Sequence, residues 1–595
     1  MNQTGLSQSM QPLITSSLLS SPPTEDEWLR LCLPNFPSSV KFFNTNQIPY
    51  IFAVSPLKAK PEIPDCPPKC LIPRCKKCGA LPSKFVKISS IYWKCPICDN
   101  DNARRVSNYL PDFAEYDIIV EKSRNKKPLF LFVFQNSIFF ANEASRTSIG
   151  KTLDTWSHSL RTDVALVSVD QNITVFNLKE PSSHTYIDPE DDYFKIPKCN
   201  SKKANFEKCL KTLSPTFCPK EQFFVHLQRI MSIINRKSVC LCIFADLIKE
   251  PEEFDPPFKE MLESRRFSIH LFSEKSAICP KFVHYCDRIR LMQHDCPHLV
   301  APQLLKFLNS GFIFEATTFV YHPPSFDLEQ ICSRKNVIGS KVTLPALDGQ
   351  SCIIPQFKMR YSPQKSLISF QINVHGRLPD GTNLIRSLNF VTRPIANIEK
   401  FDGVLFGCYI ARKIAISAYF ETIESAYKDF HDECINLISA WSSEGIYRRS
   451  ILNIFRDVPL LLYALKNSDL FRKGASETQI NAMVINLMSS SIEEIRRMLY
   501  PIMILPPLNF PHRLQMLSID QFKLIIFLFA YEGIAVALDD KDYIDQIQSI
   551  SLKYSLPITL YTNINVAKKF LIEDNPMTFA QWAEKLEVEV NGRRF

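Results

Sequence analysis

Two pairs of cysteines constrain this chain more than any other feature. Cys75 and Cys78 are separated by two residues, Cys95 and Cys98 likewise, and sixteen residues lie between the pairs. Two intervening residues let a tight turn aim both sulfurs at one tetrahedral centre about 2.3 Å away, and the stretch between the pairs can form a hairpin that brings them together. Four thiolates fill the coordination of zinc and leave no position for water, so the spacing predicts one structural Zn2+ rather than a catalytic one. Cys66 and Cys70, just upstream, read as ordinary thiols because four positions are already filled. The other cysteines of the 19 follow no regular spacing. Residues 1–25 are Ser-rich, without the basic start and apolar core of a signal peptide, so reduced thiols in the cytosol are expected.

Charge is concentrated around the same cluster. Lys69, Arg74, Lys76, Lys77, Lys84, Lys87 and Lys94 lie between residues 69 and 98 with no acidic residue among them, whereas the whole chain carries a formal charge of only +9 over 595 residues. A four-thiolate zinc site carries about −2 of its own, which offsets part of this cluster. The remainder is free to face phosphate or carboxylate. Glycine is scarce, at 14 residues, and neither glycine-rich phosphate-binding pattern is present, which disfavours a nucleotide site of that kind.

At 595 residues the chain has room for roughly three to five domains. Residues 33–57 are extended and end in the β-branched and aromatic run Tyr50, Ile51, Phe52, Ala53, Val54. From about 128 to 309, buried strands are predicted at 129–134, 164–169 and 239–244. Phe223, Leu227, Ile230 and Ile234 recur between them at helical spacing. That alternation predicts a mostly parallel sheet covered by helices on both faces. From 312 to 402 the period becomes two. Ile368, Phe370, Ile372 and Val374 alternate with Ser369, Gln371, Asn373 and His375, and Pro379-Asp380-Gly381 leads into a second strand, 384–391, giving a hairpin with one buried face.

Residues 403–500 read as helical. Phe420, Ile423, Tyr427, Phe430, Cys434, Leu437 and Trp441 form one stripe, and Ser476 with Gln479 and Ser491 with Glu494 form capping boxes. The apolar run 524–538, interrupted by Glu532-Gly533, is too short for a bilayer span and reads as two buried strands around a turn. A final helix is expected near Thr578, Gln581 and Trp582.

Arg74-Cys75-Lys76-Lys77-Cys78 and Tyr92-Trp93-Lys94-Cys95-Pro96-Ile97-Cys98-Asp99-Asn100 resemble the zinc motif of the cargo-adaptor subunit of coat protein complex II (COPII), the Sec-twenty-four family. The segments 161–170, Phe370-Gln371 before Asp380-Gly381 and Arg386, Leu499-Tyr500-Pro501 and 571–575 resemble that family in the same order. The resemblance implies a multidomain α+β chain: zinc ribbon, von Willebrand A-like α/β trunk, β-sandwich, all-helical domain and gelsolin-like domain. The boundaries that follow are a disordered tail at 1–30, N-terminal sandwich strands at 31–64, the zinc finger at 65–115, the trunk at 116–309, the sandwich at 310–402, the helical domain at 403–505 and the gelsolin-like domain at 506–595.

It further implies a non-enzymatic, cytoplasmic subunit, peripheral at endoplasmic reticulum exit sites and on COPII vesicles. Its partners would be a sister inner-coat subunit, a Sar-type small GTPase, the cytosolic tails of membrane cargo and an acidic membrane surface, with no nucleic acid. The family flanks its first cysteine pair with two arginines that read acidic sorting signals. Arg74 matches one and Gly79 stands at the other, leaving Lys76 and Lys77 as partial substitutes. The metal site usual in von Willebrand A domains lacks its carboxylate, with Gln135 in its place.

Two other readings compete. One is the paralogous, GTPase-activating Sec-twenty-three type, whose arginine-bearing stretch is missing here. The other is a nucleic-acid-binding zinc ribbon that would use the basic cluster with Tyr92 and Trp93. His158, His226, His270 and His431 read as core or surface histidines, and His284 with Cys286 and His294 with Cys296 fit no metal motif.

Overall fold

Continuous apolar runs of six or seven residues can be satisfied only where both faces of a strand are covered, and this chain places them at the centre of a parallel sheet. The computed structural model describes residues 13–14, 28–37, 40, 48–64, 71–105, 108–122, 127–135, 143–186, 194–213, 222–234, 238–245, 253–264, 266–274, 280–292, 299–333, 337–395, 400–442, 457–500, 502–505, 524–529, 533–537, 543–554, 556 and 558–562. Strands Asp163–Val169, Leu129–Gln135, Val239–Ala245, Phe267–Glu274 and Arg288–Met292 lie side by side in that order, all parallel. Ile173–Asn177 and Ser182–Tyr186 extend the sheet antiparallel beyond the first of them.

The two-residue period of a strand divides its side chains between two helical layers. Leu129, Leu131 and Val133 join Phe223, Leu227 and Ile230 of helix Gln222–Ser232 in one core. Phe130, Phe132 and Phe134 join Leu153 and Trp156 of helix Glu143–Ser159 in another. The Phe130 and Trp156 rings meet edge to face at 4.9 Å.

A sandwich of two sheets follows. One has six strands, including Lys341–Asp348, Phe312–Tyr321, Ile368–Arg377, Thr382–Thr392 and Glu115–Lys122. The other holds Phe326–Cys332, Ile354–Met359, Tyr50–Val54 and Leu29–Leu31. The 44 phenylalanines of the chain find one of their uses here, where Phe52, Phe357, Phe370 and Phe390 pack ring to ring between the sheets at 4.9–5.5 Å.

Several expectations need correction. The hairpin Ile368–Arg377 and Thr382–Thr392 has two buried faces, because Ser369, Gln371 and Asn373, expected in water, are buried and Gln371 meets the cysteine-bearing module. Glu115–Lys122 falls at the start of the expected trunk but pairs with Thr382–Thr392 in the sandwich. Within the expected disordered tail, Leu13–Ile14 pairs with Ile504 and Leu505. Ile502–Leu505, assigned to the helical domain, lies in the last sheet beside Leu524–Leu528.

Phe420 leaves the predicted stripe, being 64% exposed at the end of helix Gly403–Phe420, before Ile423–Ser442 begins. Helix Gly403–Phe420 is itself long and apolar enough to cross a bilayer, yet most of its length is packed inside the protein. The capping box at Ser476 and Gln479 is present. Cys66, Cys70, His294, Cys296, the strand end after Gln135, and the segments around 571–575 and Thr578 lie outside the described residues.

One ion pair joins three of these parts. Arg288, on the last parallel strand, is bidentate to Asp348 of the sandwich at 2.6 and 2.9 Å. The same guanidinium donates to the Ser489 carbonyl at 2.9 Å and the Ser490 hydroxyl at 3.1 Å, and it lies 3.3 Å from Glu494 of the helical part. Burial alone would raise the Asp348 carboxyl, but the Arg288 charge and its hydrogen bonds hold it well below the usual carboxylate range. Nearby, burial pushes the His270 imidazole down to about 3 against the pull of Asp348 and Asp287, and its Nε2 sits 2.9 Å from the Ser268 hydroxyl.

Two outcomes follow. Asp348→Ala strands a buried guanidinium and should cost about 3–5 kcal/mol, read as a lowered unfolding midpoint, while a paired Arg288→Met and Asp348→Leu substitution should recover much of the loss. His270 binds a proton in the unfolded chain below about pH 6.5 but not in the folded one until about pH 3. Its contribution to stability is therefore lost as pH falls through that window, by up to about 1.4 kcal/mol per pH unit. The melting-temperature gap between the unsubstituted chain and His270→Phe should accordingly narrow from pH 7 to pH 4.

Candidate metal centre

Each cysteine pair sits on a tight turn whose first cysteine carbonyl accepts a backbone N–H from the residue after the second cysteine. Gly79 donates to Cys75 at 2.9 Å and Asp99 to Cys95 at 3.0 Å. A second bond closes each turn, Cys75 N–H to Ala80 and Cys95 N–H to Asn100. Both turns require a left-handed residue immediately after the second cysteine, and Gly79 (φ 79°) and Asp99 (φ 61°) supply it. Glycine and aspartate tolerate that conformation at little steric cost. This gives a local reason for glycine where the family resemblance led one to expect arginine.

The turns bring the four sulfurs together, all within 4.8 Å of one another. Cys75 and Cys98 are 3.5 Å apart and Cys78 and Cys95 3.6 Å. Ligands about 2.3 Å from a tetrahedral zinc stand about 3.8 Å from each other, so the donor set fits the ion. The Cys78–Cys95 sulfur contact, with the Cys98 and Ile97 backbone N–H groups, holds Cys95 down to about 6. The same contact raises Cys78, and burial pushes Cys98 up to about 11. Cys95 thus favours its thiolate while Cys78 and Cys98 favour their thiols, and a divalent cation would stabilise the thiolate at every ligand it held.

The three-stranded sheet Lys87–Ile88, Tyr92–Lys94 and Asp101–Ala103 supports the turns, with Trp93 fully buried against Cys75, Cys95, Ala80 and Ile97. Asn102, which sequence reasoning missed, stands opposite Trp93 and donates its amide to the Cys75 sulfur at 3.6 Å while accepting the Lys76 N–H at 2.9 Å. Its only signal in the sequence was a position four residues past the last cysteine.

The module is seated on the sandwich by an amide that pairs both ways. Gln371 accepts the Leu81 N–H and donates to the Leu81 carbonyl, each at 2.8 Å, and its amide also donates to Asn389 at 2.6 Å. Tyr116 donates to the Pro82 carbonyl at 2.5 Å.

At the edge of this seam Arg74 is exposed, with one guanidinium nitrogen 3.4 Å from the Gly79 carbonyl. Beside it, burial raises the Tyr321 phenol and the Arg74 charge opposes that rise. Burial and then the Arg74 and Lys341 charges push His375 down to about 4. Lys76 and Lys77 project from the first turn and are exposed. The structure therefore puts the three basic candidates on one knuckle, with Arg74 alone reaching the sandwich. His284 stacks on Tyr419 at 4.0 Å, a packing role, and Gln135 is buried at its strand end.

The chain superposes on the human COPII-coat protein Sec24c with a TM-score of 0.73 over 94% of its own length and 93% of that chain, at 13% identity. A von Willebrand factor type A protein from Catenulispora acidiphila (TM-score 0.35, 8% identity, 61% of this chain and 90% of that one) and the ArnB paralog VWA2 from Sulfolobus acidocaldarius (0.31, 10%, 63% and 90%) are much weaker matches. No protein-family model and no curated protein matches the sequence. At these identities the likeness is one of fold: this is a multidomain α+β chain with the Sec-twenty-four fold, including a four-cysteine module compatible with a zinc ribbon.

Zinc should be present at about one ion per purified chain by elemental analysis, and Asn102→Ala should weaken its retention against a competing chelator roughly tenfold, since hydrogen bonds to ligands tune affinity on that scale.

Proposed function

We propose that this protein is a cargo-selecting inner-coat subunit of COPII vesicles, acting between endoplasmic reticulum and Golgi. The observation that carries the reading is the fold shared with the human COPII-coat protein Sec24c along nearly the whole of both chains. The converging Cys75, Cys78, Cys95 and Cys98 add to it, since they would hold one structural zinc. In this reading the protein does no chemistry. It is cytoplasmic and peripheral on exit-site and vesicle membranes, pairs with a sister coat subunit, meets a Sar-type GTPase and an acidic bilayer, and does not bind nucleic acid.

The contribution of its own residues can be stated at the knuckle. Zinc would clamp both turns and so hold Arg74 at the seam beside Tyr321, with Lys76 and Lys77 on the adjoining turn. A guanidinium there would donate two parallel hydrogen bonds to a carboxylate of a cargo tail. With Gly79 where a second arginine would stand, the clamp has one strong arm, and selectivity would lean on Arg74.

Affinity capture from cytosol, with partners identified by mass spectrometry, tests the class. A stoichiometric Sec-twenty-three-type subunit together with a Sar-type GTPase is the expected result, and their absence would sink the reading. Arg74→Ala should weaken binding of an acidic tail peptide about tenfold by titration calorimetry while leaving zinc content and subunit capture unchanged.

A further inference from the structure

We propose that the hairpin tip of the cysteine-bearing module is a membrane anchor, inserting the exposed Ile88, Ile91 and Tyr92 into the edge of an anionic bilayer while its basic residues meet the headgroups. This deepens the coat reading and rests on it, because it names the part of the chain that would touch lipid.

The tip is the turn between strands Lys87–Ile88 and Tyr92–Lys94. Ile91 is 73% exposed, Ile88 52% and Tyr92 39%, three large apolar side chains within five residues of a small module. Nothing in the module core needs them, since that core is built from Trp93, Ala80, Ile97 and the cysteines.

Part of the hydrogen bonding of the turn is met within the module. Ser89 N–H donates to the Tyr92 carbonyl at 2.9 Å, Tyr92 N–H donates to the Ser89 hydroxyl at 3.1 Å, and that hydroxyl donates back to the Tyr92 carbonyl at 3.0 Å. Arg104 closes two more groups, its N–H donating to the Ile91 carbonyl at 2.8 Å and its guanidinium to the Ser89 carbonyl at 3.2 Å. Each polar group met inside the module lowers the cost of placing the turn at the edge of a bilayer, while the exposed Ser90 keeps the entry shallow, at headgroup depth.

Behind the tip stands a collar of cations. Lys87 lies directly opposite Lys94 in the ladder, a like-charge pair that is unfavourable unless an anion lies against it. Arg104 stands against the turn itself through its bond to Ser89, Lys84 and Arg105 are exposed on the same module, and none of these five has an ion pair among the described residues. The local carboxylates offset these cations only in part, since Asp99 is taken by Lys365 and Asp101, opposite Lys94, balances one charge of the five. Ile91 in the turn and Ile88 at its base favour lipid over nucleic acid, because aliphatic side chains bury well in acyl chains but offer bases no stacking surface, leaving Tyr92 as the one exposed ring at the tip.

The test uses the zinc-loaded full chain in cosedimentation with vesicles of phosphatidylcholine alone or containing phosphatidylserine. Binding to the anionic vesicles should fall about tenfold or more for Ile88→Ser with Ile91→Ser. It should fall about fivefold per charge for Lys87→Gln with Lys94→Gln. Ile338→Ser, at a 70% exposed isoleucine on the sandwich, should leave it unchanged. Zinc content and melting temperature of each variant report that it is folded.

If the isoleucine variant is folded and pellets like the unsubstituted chain, the proposal is overturned. It is equally overturned if the tip substitutions abolish single-stranded RNA binding and leave vesicle binding intact. Capture of the sister subunit, read on the same variants, separates the two claims. Retained capture with unchanged pelleting removes only the anchor, whereas no capture by the unsubstituted chain removes the coat reading and the anchor with it.

Discussion

The Arg288 guanidinium is the point at which trunk, sandwich and helical parts are locked into one body. Its five N–H donors are shared between a carboxylate from the sandwich and a carbonyl, a hydroxyl and a second carboxylate from the helical part. Apolar packing alone could let these parts slide, because burial energy is nearly indifferent to small displacements. Directional bonds to a buried planar cation are not. Arg412 repeats the device at the same seam, fully buried and donating to the Cys352 carbonyl at 2.7 Å and to the Leu487 and Ser490 carbonyls. Arg30 does so on the far side, holding Asp402 at 2.8 Å and Glu493 at 2.8 Å while Asp402 caps helix Gly403–Phe420.

These three arginines also explain what could and could not be read in advance. Strands such as Leu129–Gln135 and Val239–Ala245 were legible because burial on both faces leaves an unbroken apolar run. The four-cysteine site was legible because its geometry is encoded in local spacing. The arginine junctions were not, since nothing near residue 288 announces partners at 348 and 490. The hairpin shows the same limit from another side. Alternation of Ile368, Phe370 and Ile372 with Ser369, Gln371 and Asn373 gave the right strand and the wrong environment. A polar residue covered by a polar partner looks, in one dimension, like a polar residue in water. Strand Glu115–Lys122 was misassigned for a related reason, as its ladder partner lies about 270 residues away.

The candidate cargo site was half legible. Arg74 and the lysines follow from the motif, but their surroundings come from Tyr321, Asn373 and His375, which only the folded sandwich brings near. Gly79 is the instructive residue. As a missing arginine it looks like a lost function, whereas its positive φ gives it a structural duty that a larger side chain would perform under strain.

The Gln371 amide carries a consequence for biosynthesis. Leu81 leaves the ribosome 290 residues before the strand that will receive it. Through that interval the cysteine-bearing unit has to keep its shape on its own small core and whatever metal it has acquired. Because amides and hydroxyls share the seat with the rings of Tyr321 and Tyr116 and with Leu81, part of what late docking does is exchange water for equivalent hydrogen bonds.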